Sequence, residues 1–107
     1  MKYALYFLLV SISSTAFSAD VWSGRTKINA IYPTSSGMRF ITEFSHPVST
    51  CSGSKRFQLD DTSGQYQDKV AALIAAFMAN KDINMLFDNQ QTATCAAFVD
   101  RFIVYQR

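Results

Sequence analysis

A mainly β domain with one helix, ordered strand-strand-strand-helix-strand-strand, is the fold this sequence predicts. Three observations predict it. Most segments carry apolar residues at every second position, and one segment alone carries them at a helical period. Two cysteines, Cys51 and Cys95, lie far apart in a chain of 107 residues. Hydrophobic types make up 49% and charged types 17%, which argues against disorder, and the length allows one domain.

Residues 1–18 stand apart from that domain. Lys2, the apolar run Tyr3–Val10 and the ending Ala16-Phe17-Ser18 have the layout of a secretory signal peptide. The run is shorter than the about 20 apolar residues a bilayer requires, so no membrane span is expected. Residues 19–107 then form one exported domain, periplasmic or secreted. Without Lys2, nine Lys/Arg face eight Asp/Glu. That near balance argues against nucleic acid as a partner, because phosphate binding depends on a basic patch.

The elements follow in chain order. In Val21–Tyr32, Thr26, Ile28, Ala30 and Tyr32 share one parity, the mark of a half-buried strand, and Gly24 suggests a bulge. Pro33-Thr34-Ser35-Ser36-Gly37 is a five-residue turn leading to Met38–Phe44, where Phe40, Thr42 and Phe44 alternate with Arg39, Ile41 and Glu43. His46–Gly53 is a loop, and Lys55–Asp60 is a short third strand with Phe57 and Leu59 on one face.

The period then changes. Tyr66, Val70, Leu73, Ile74, Phe77 and Met78 recur at near 3.6 residues, so Gln65–Asn80 is a helix with those residues on its buried face. Thr62 and Gln65 fit a capping box, and Asp68 and Lys81 suit the helix dipole. Ile83, Met85 and Phe87 alternate in a fourth strand, and Asp88–Thr94 is a polar loop. In Ala96–Tyr105, Phe98, Phe102 and Val104 share one parity while Val99, Ile103 and Tyr105 share the other, so this last strand is expected to be covered on both sides. Five strands with a helix between the third and fourth is the connectivity of the OB-fold, a small barrel whose end the helix would plug. The alternative is an open antiparallel sheet with the helix across one face.

An even cysteine count in a small exported chain reads as a disulfide, and two cysteines allow only the Cys51–Cys95 pairing. Closing that loop stabilises the fold by ~4 kcal/mol in the chain-entropy model. Two free buried cysteines are the alternative; a catalytic dithiol would want C-x-x-C spacing.

Catalytic chemistry finds little to stand on. His46 is the single histidine and is expected to be a solvated loop residue. Asp60 and Asp61 are adjacent and would point to opposite faces of a strand. No G-x-S-x-G, phosphate loop or metal-ligand spacing occurs, so the protein is read as no enzyme, with no metal and no cofactor. Phe40, Phe44, Phe57, Phe98 and Phe102 are expected inside the barrel. Trp22 is either a core anchor or an exposed ring for a sugar or a neighbouring subunit. The helix adds Ala71, Ala72, Ala75, Ala76 and Ala79 and no charge between Val70 and Asn80, a face suited to close packing on another copy of the chain.

The order of these features resembles the binding (B) subunits of subtilase cytotoxin and the pertussis-like bacterial toxins. The likeness is carried by the signal peptide, the early Trp22, Cys51 before the third strand, and the helix Tyr66-Gln67-Asp68-Lys69-Val70-Ala71-Ala72-Leu73. It continues with Lys81-Asp82-Ile83-Asn84-Met85-Leu86-Phe87 and with Cys95 before the last strand. The resemblance implies an OB-fold, a homo-oligomer such as a pentameric ring, and binding of host glycans.

OB-folds bind with the loops joining strands one to two and four to five. Here those loops offer Ser35, Ser36, Asn89 and Gln90, which with Trp22 form the expected ligand-binding set. An exported protein partner is the alternative to a glycan, for an envelope interaction protein or an inhibitor without sugar binding.

Overall fold

A computed structural model describes residues 20–62 and 64–106. The expected signal peptide lies outside the described residues. Six strands and one helix follow in the order β1 (Asp20–Thr34), β2 (Gly37–Thr42), β3 (Arg56–Leu59), α1 (Tyr66–Met78), β4 (Asp82–Asp88), β5 (Ala97–Val99) and β6 (Arg101–Val104). They form one strongly curled sheet, a half-barrel, ordered β5-β3-β2-β1-β4-β6. All neighbours are antiparallel except β3 and β5, which run parallel. The helix lies between β3 and β4 in sequence, as the change of period predicted.

The curl starts in β1. Its first half pairs with β4 and its second half with β2, so one strand of 15 residues serves both sides of the sheet. Two register shifts bend it, one between Trp22 and Arg25 and one between Ile28 and Ala30. Bulges sharpen local twist. Gly24 sits in the first with φ +84°, which its lack of a Cβ permits. Ser23 Oγ accepts the Met85 N–H at 3.0 Å there, and Asn84 Oδ1 accepts the Gly24 N–H at 2.9 Å, replacing ladder bonds that the bulge breaks.

Alternation set the inner face correctly for most strands. Ile28, Phe40, Phe57, Leu59, Ile83, Met85 and Phe87 are buried, and Phe44 and Phe102 pack partly buried against them. Phe44 lies 5.8–6.0 Å, ring centroid to centroid, from Phe57 and Phe87. His46 is not a solvated loop residue. Its ring meets Phe87 edge-on at 5.1 Å, and its Nδ1 accepts the Val48 N–H at 3.1 Å.

The turn between β1 and β2 is tighter than its composition suggested. Pairing runs to Thr34↔Gly37, leaving Ser35 and Ser36 as the loop. Gly37 has φ +130°, and a Cβ there would lie 3.0 Å from the Leu59 carbonyl oxygen and 3.4 Å from Tyr66 Oη. That hydroxyl accepts the Met38 N–H at 2.9 Å, which ties the helix start to β2.

The helix end behaves as its sequence suggests and its start does not. Asn80 adopts the left-handed conformation, and the N–H groups of Asn80 and Lys81 turn back to Phe77 and Ala76, the closure that residue type favours. At the start there is no capping box. Gln65 is itself left-handed and makes no side-chain cap, while Thr62 is taken by Asp60, which accepts both its N–H and its hydroxyl. The buried face is also narrower than expected. Leu73 and Ala76 are buried and Tyr66, Val70 and Phe77 flank them, but Ile74 and Met78 are exposed. At about 100° per residue these two lie a quarter to a third of a turn away from the Leu73–Phe77 line.

The largest departure is at the C-terminal end. The expected single strand Ala96–Tyr105 is interrupted at Asp100, whose N–H donates to the Leu86 carbonyl at 2.9 Å. Ala97 and Val99 point inward, Asp100 and Arg101 are both exposed, and Phe102 turns inward again. One extra outward residue reverses the parity, so Phe98 and Phe102 face opposite sides although their numbers share a parity. Phe98 is 44% exposed, not interior, and Ile103 and Val104 are exposed as well, so this segment is not covered on both faces.

Cys51 and Cys95 form the disulfide, with their Cα atoms 4.7 Å apart, in keeping with folding in an oxidising compartment. Parallel backbone contacts flank it: Thr50 N–H to Thr94 O at 2.8 Å and Thr94 N–H to Val48 O at 3.1 Å. Beside it the fully buried Ser49 hydroxyl donates to the Arg56 carbonyl, lies 3.2 Å from the Cys95 carbonyl and accepts the Ala97 N–H at 3.3 Å. One hydroxyl thereby ties the loop to both β3 and β5.

Two predictions follow from this staple. Reducing the disulfide lowers unfolding free energy by ~2–5 kcal/mol in urea titrations run with and without reductant. Ser49→Ala leaves buried backbone groups unpaired and costs about 1–3 kcal/mol in the same assay with the disulfide intact.

Candidate functional site

Phe98 lines two open concavities of the surface. Its ring walls a cavity of ≈ 510 Å³ shared with Asp20, Asp60, Asp88, Gln91, Asp100 and Arg101. Phe98 also lines a cavity of ≈ 250 Å³ with Ser36, Arg39, Gln58, Thr94 and Ala96. Four parts of the fold converge here: the start of β1, the β1–β2 turn, the end of β3 and the β4–β5 loop.

Local bonding explains why the aromatic ring is held outward. The Phe98 N–H donates to Gln91 Oε1 at 2.9 Å, and Gln91 Nε2 donates back to the Phe98 carbonyl at 3.0 Å. The primary amide thus does for Phe98 what a neighbouring strand would do. Gln91 is fixed in turn by the Asp88 carbonyl, which accepts from its Nε2 at 2.9 Å, and Asp88 Oδ1 accepts the Gln90 N–H at 2.8 Å. A tight polar turn therefore sets the backbone of an exposed aromatic residue. Behind it, Ala97 and Val99 anchor β5 to β3.

The larger cavity is rich in carboxylates. Asp100 pairs with Arg101 Nε at 2.8 Å, and Lys69 Nζ donates to the Asp100 carbonyl at 2.7 Å. The side-chain hydrogen bond from Thr62, together with its backbone N–H, holds the Asp60 carboxyl below the usual range; desolvation opposes this and Lys69 assists it. A carboxylate held low stays an acceptor in mildly acid conditions. In the smaller cavity Arg39 Nε donates to Gln58 Oε1 at 2.9 Å across paired strands.

The five residues expected to bind ligand are spread around this region and not gathered in one place. Ser36 lines the smaller cavity, its N–H held by Thr34 Oγ1, and Ser35 is exposed beside it at the turn tip. Asn89 is half-buried with its Oδ1 enclosed and without a partner, and Gln90 is exposed on the loop. Trp22 lines neither cavity. It is 46% exposed on the outer face of β1, opposite Leu86 of β4 and away from the core, so it is no core anchor.

Sequence reasoning missed Phe98, Asp88 and Asp100; Gln91 lies in the amide-rich loop Asn89-Gln90-Gln91-Thr92 that it expected beside a ligand. Asp88-Asn89-Gln90-Gln91 carries the turn signal, since an Asp side chain often binds the N–H two residues on. Nothing in the parity of Ala96–Tyr105 reveals the reversal that exposes Phe98.

No group of three or more His, Cys, Asp or Glu among the described residues could hold a metal ion. No helix among them is long and apolar enough to cross a membrane. Comparison with protein-family models, with curated proteins and with solved structures finds no match to this chain.

Two measurements check the site's construction. In an NMR titration Asp60 has its midpoint below 3.8, and Thr62→Ala moves it up toward that value. The sign for stability follows: Asp60 contributes above its unfolded pKa, and the contribution fades as pH falls through its lowered folded pKa. Gln91→Ala releases the Phe98 backbone, so amide exchange at Phe98 speeds up while exchange at Phe57 and Phe87 stays slow.

Proposed function

We propose that this chain is an exported, non-enzymatic binding protein with an OB-fold barrel that holds a glycan against Phe98. β5 and β6 are taken as two halves of one strand bent at Asp100. Counted so, the sheet has five strands, and its two edges in the order β5-β3-β2-β1-β4-β6 belong to the same strand. The parallel β3–β5 contact and the bond from Asp100 to Leu86 support that count.

The observation that carries the function is an exposed, backbone-clamped phenylalanine that lines two concavities, the larger of them bearing four carboxylates. Sugar rings present C–H faces that stack on aromatic rings and hydroxyls that both donate and accept. The carboxylates of Asp60, Asp88 and Asp100 supply acceptors, and Gln91 and Arg101 line the same space. The β1–β2 and β4–β5 loops flank the ring, which is where OB-folds take oligosaccharides. The resemblance to toxin B subunits points the same way.

A second reading, an envelope interaction protein that self-associates, has its own support. Ala71, Ile74, Ala75 and Met78 form an exposed, uncharged stripe on α1, with Met78 75% exposed. Trp22 and Ile103 add exposed apolar surface on β1 and β6. An inhibitor of an exported partner would use the same surfaces. Light scattering after size exclusion tests self-association: an oligomer that Met78→Lys dissociates supports it, and a strict monomer removes it.

For the glycan reading, a glycan array probed with the mature protein gives a defined set of hits. Phe98→Ala weakens the best of them by about tenfold or more, whereas Phe98→Trp retains binding. An array without hits at high protein concentration overturns the proposal.

A further inference from the structure

We infer that the ligand is an oligosaccharide of at least two residues, lying across Phe98 with one sugar in each cavity. The inference rests on the glycan reading of the site and adds the ligand's minimum length and the residues that select it. Phe98 is the wall common to the ≈ 510 Å³ and ≈ 250 Å³ cavities, so a chain stacked on its ring meets both. The larger cavity lies by itself within the about 300–1,000 Å³ typical of small-molecule sites, and the smaller, which falls short alone, extends it past Phe98.

The two cavities differ in polar character. The larger presents carboxylate acceptors from Asp20, Asp60, Asp88 and Asp100. The smaller is mostly apolar, with Arg39 and Gln58 as its side-chain nitrogen donors. Gln58 lines it from a buried position, 4% exposed, with Oε1 occupied by Arg39 Nε. Gln58 Nε2 has no hydrogen-bond partner among the described residues, and Arg39 is in no ion pair among them. A nearly buried amide donor facing a cavity is satisfied when an acceptor enters it.

Sugar hydroxyls serve both needs, donating to carboxylates at one end and accepting from Arg39 and Gln58 at the other. A single sugar reaches one cavity. Two linked sugars reach both, and the second gains from being tethered to the first. Arg39, Gln58 and Ser36 are then the residues that recognise length.

The test is an array carrying mono-, di- and trisaccharides of the common hexoses and N-acetylhexosamines, followed by calorimetry on the best disaccharide and its own monosaccharide. The disaccharide binds about tenfold tighter or better. Arg39→Ala removes most of that gain and leaves monosaccharide affinity within about twofold. Ser36→Tyr, a substitution at an exposed turn, fills the smaller cavity and gives the same pattern, so the outcome does not hang on one variant's folding. Equal affinity for monosaccharide and disaccharide, or a gain that survives both variants, overturns this inference and leaves the glycan reading standing. Absence of any binding overturns both.

Discussion

Three residues of β5 pair in parallel with β3, and a parallel pair cannot be joined by a tight turn. The chain must leave β3, run through α1 and β4, and return before that pairing forms. Its two ends therefore meet late and over a long loop, at an entropic cost that local contacts do not offset. The Cys51–Cys95 bond and the Ser49 hydroxyl stand beside this pairing and bind the segment before β3 to the segment before β5. A domain this small buries a modest core, so a covalent link beside this parallel pairing makes a contribution that the fold needs.

The exposed ring at the candidate site is a consequence of the same arrangement. With Ala97 and Val99 directed to the core by their pairing with Phe57 and Leu59, Phe98 has to point out. A strand of three residues has little pairing of its own, and the backbone of Phe98 would otherwise present unpaired groups. Gln91 supplies both partners from a loop, which protects that backbone from pairing with other chains and steadies the ring. One side-chain amide thus stands in for a neighbouring strand along β5.

Electrostatics arrange themselves around these constraints. Lys27 and then Arg25 hold the Asp82 carboxyl below its usual range at the start of β4, opposite the first half of β1. Those exposed ion pairs favour register more than stability. Around Phe98 carboxylates converge from separate elements, so a chain close to neutral overall becomes locally acidic in the larger cavity.

The amino-acid sequence alone determined the class of fold, the helix between the third and fourth strands, the disulfide and most of the core. Those features are written in local periods: Ile83, Met85 and Phe87 alternate, and Tyr66, Val70, Leu73 and Phe77 recur at helical spacing, because one face of each element is buried along its length. Tertiary structure alone decided that Phe98 is outside and Phe102 inside, that Gln91 clamps the Phe98 backbone, and that Trp22 lies apart. The reason is that a single extra outward residue at Asp100 inverts every side chain before it relative to those after it. Parity carries no trace of that inversion, which is set by which strands β5 and β6 each find as neighbours.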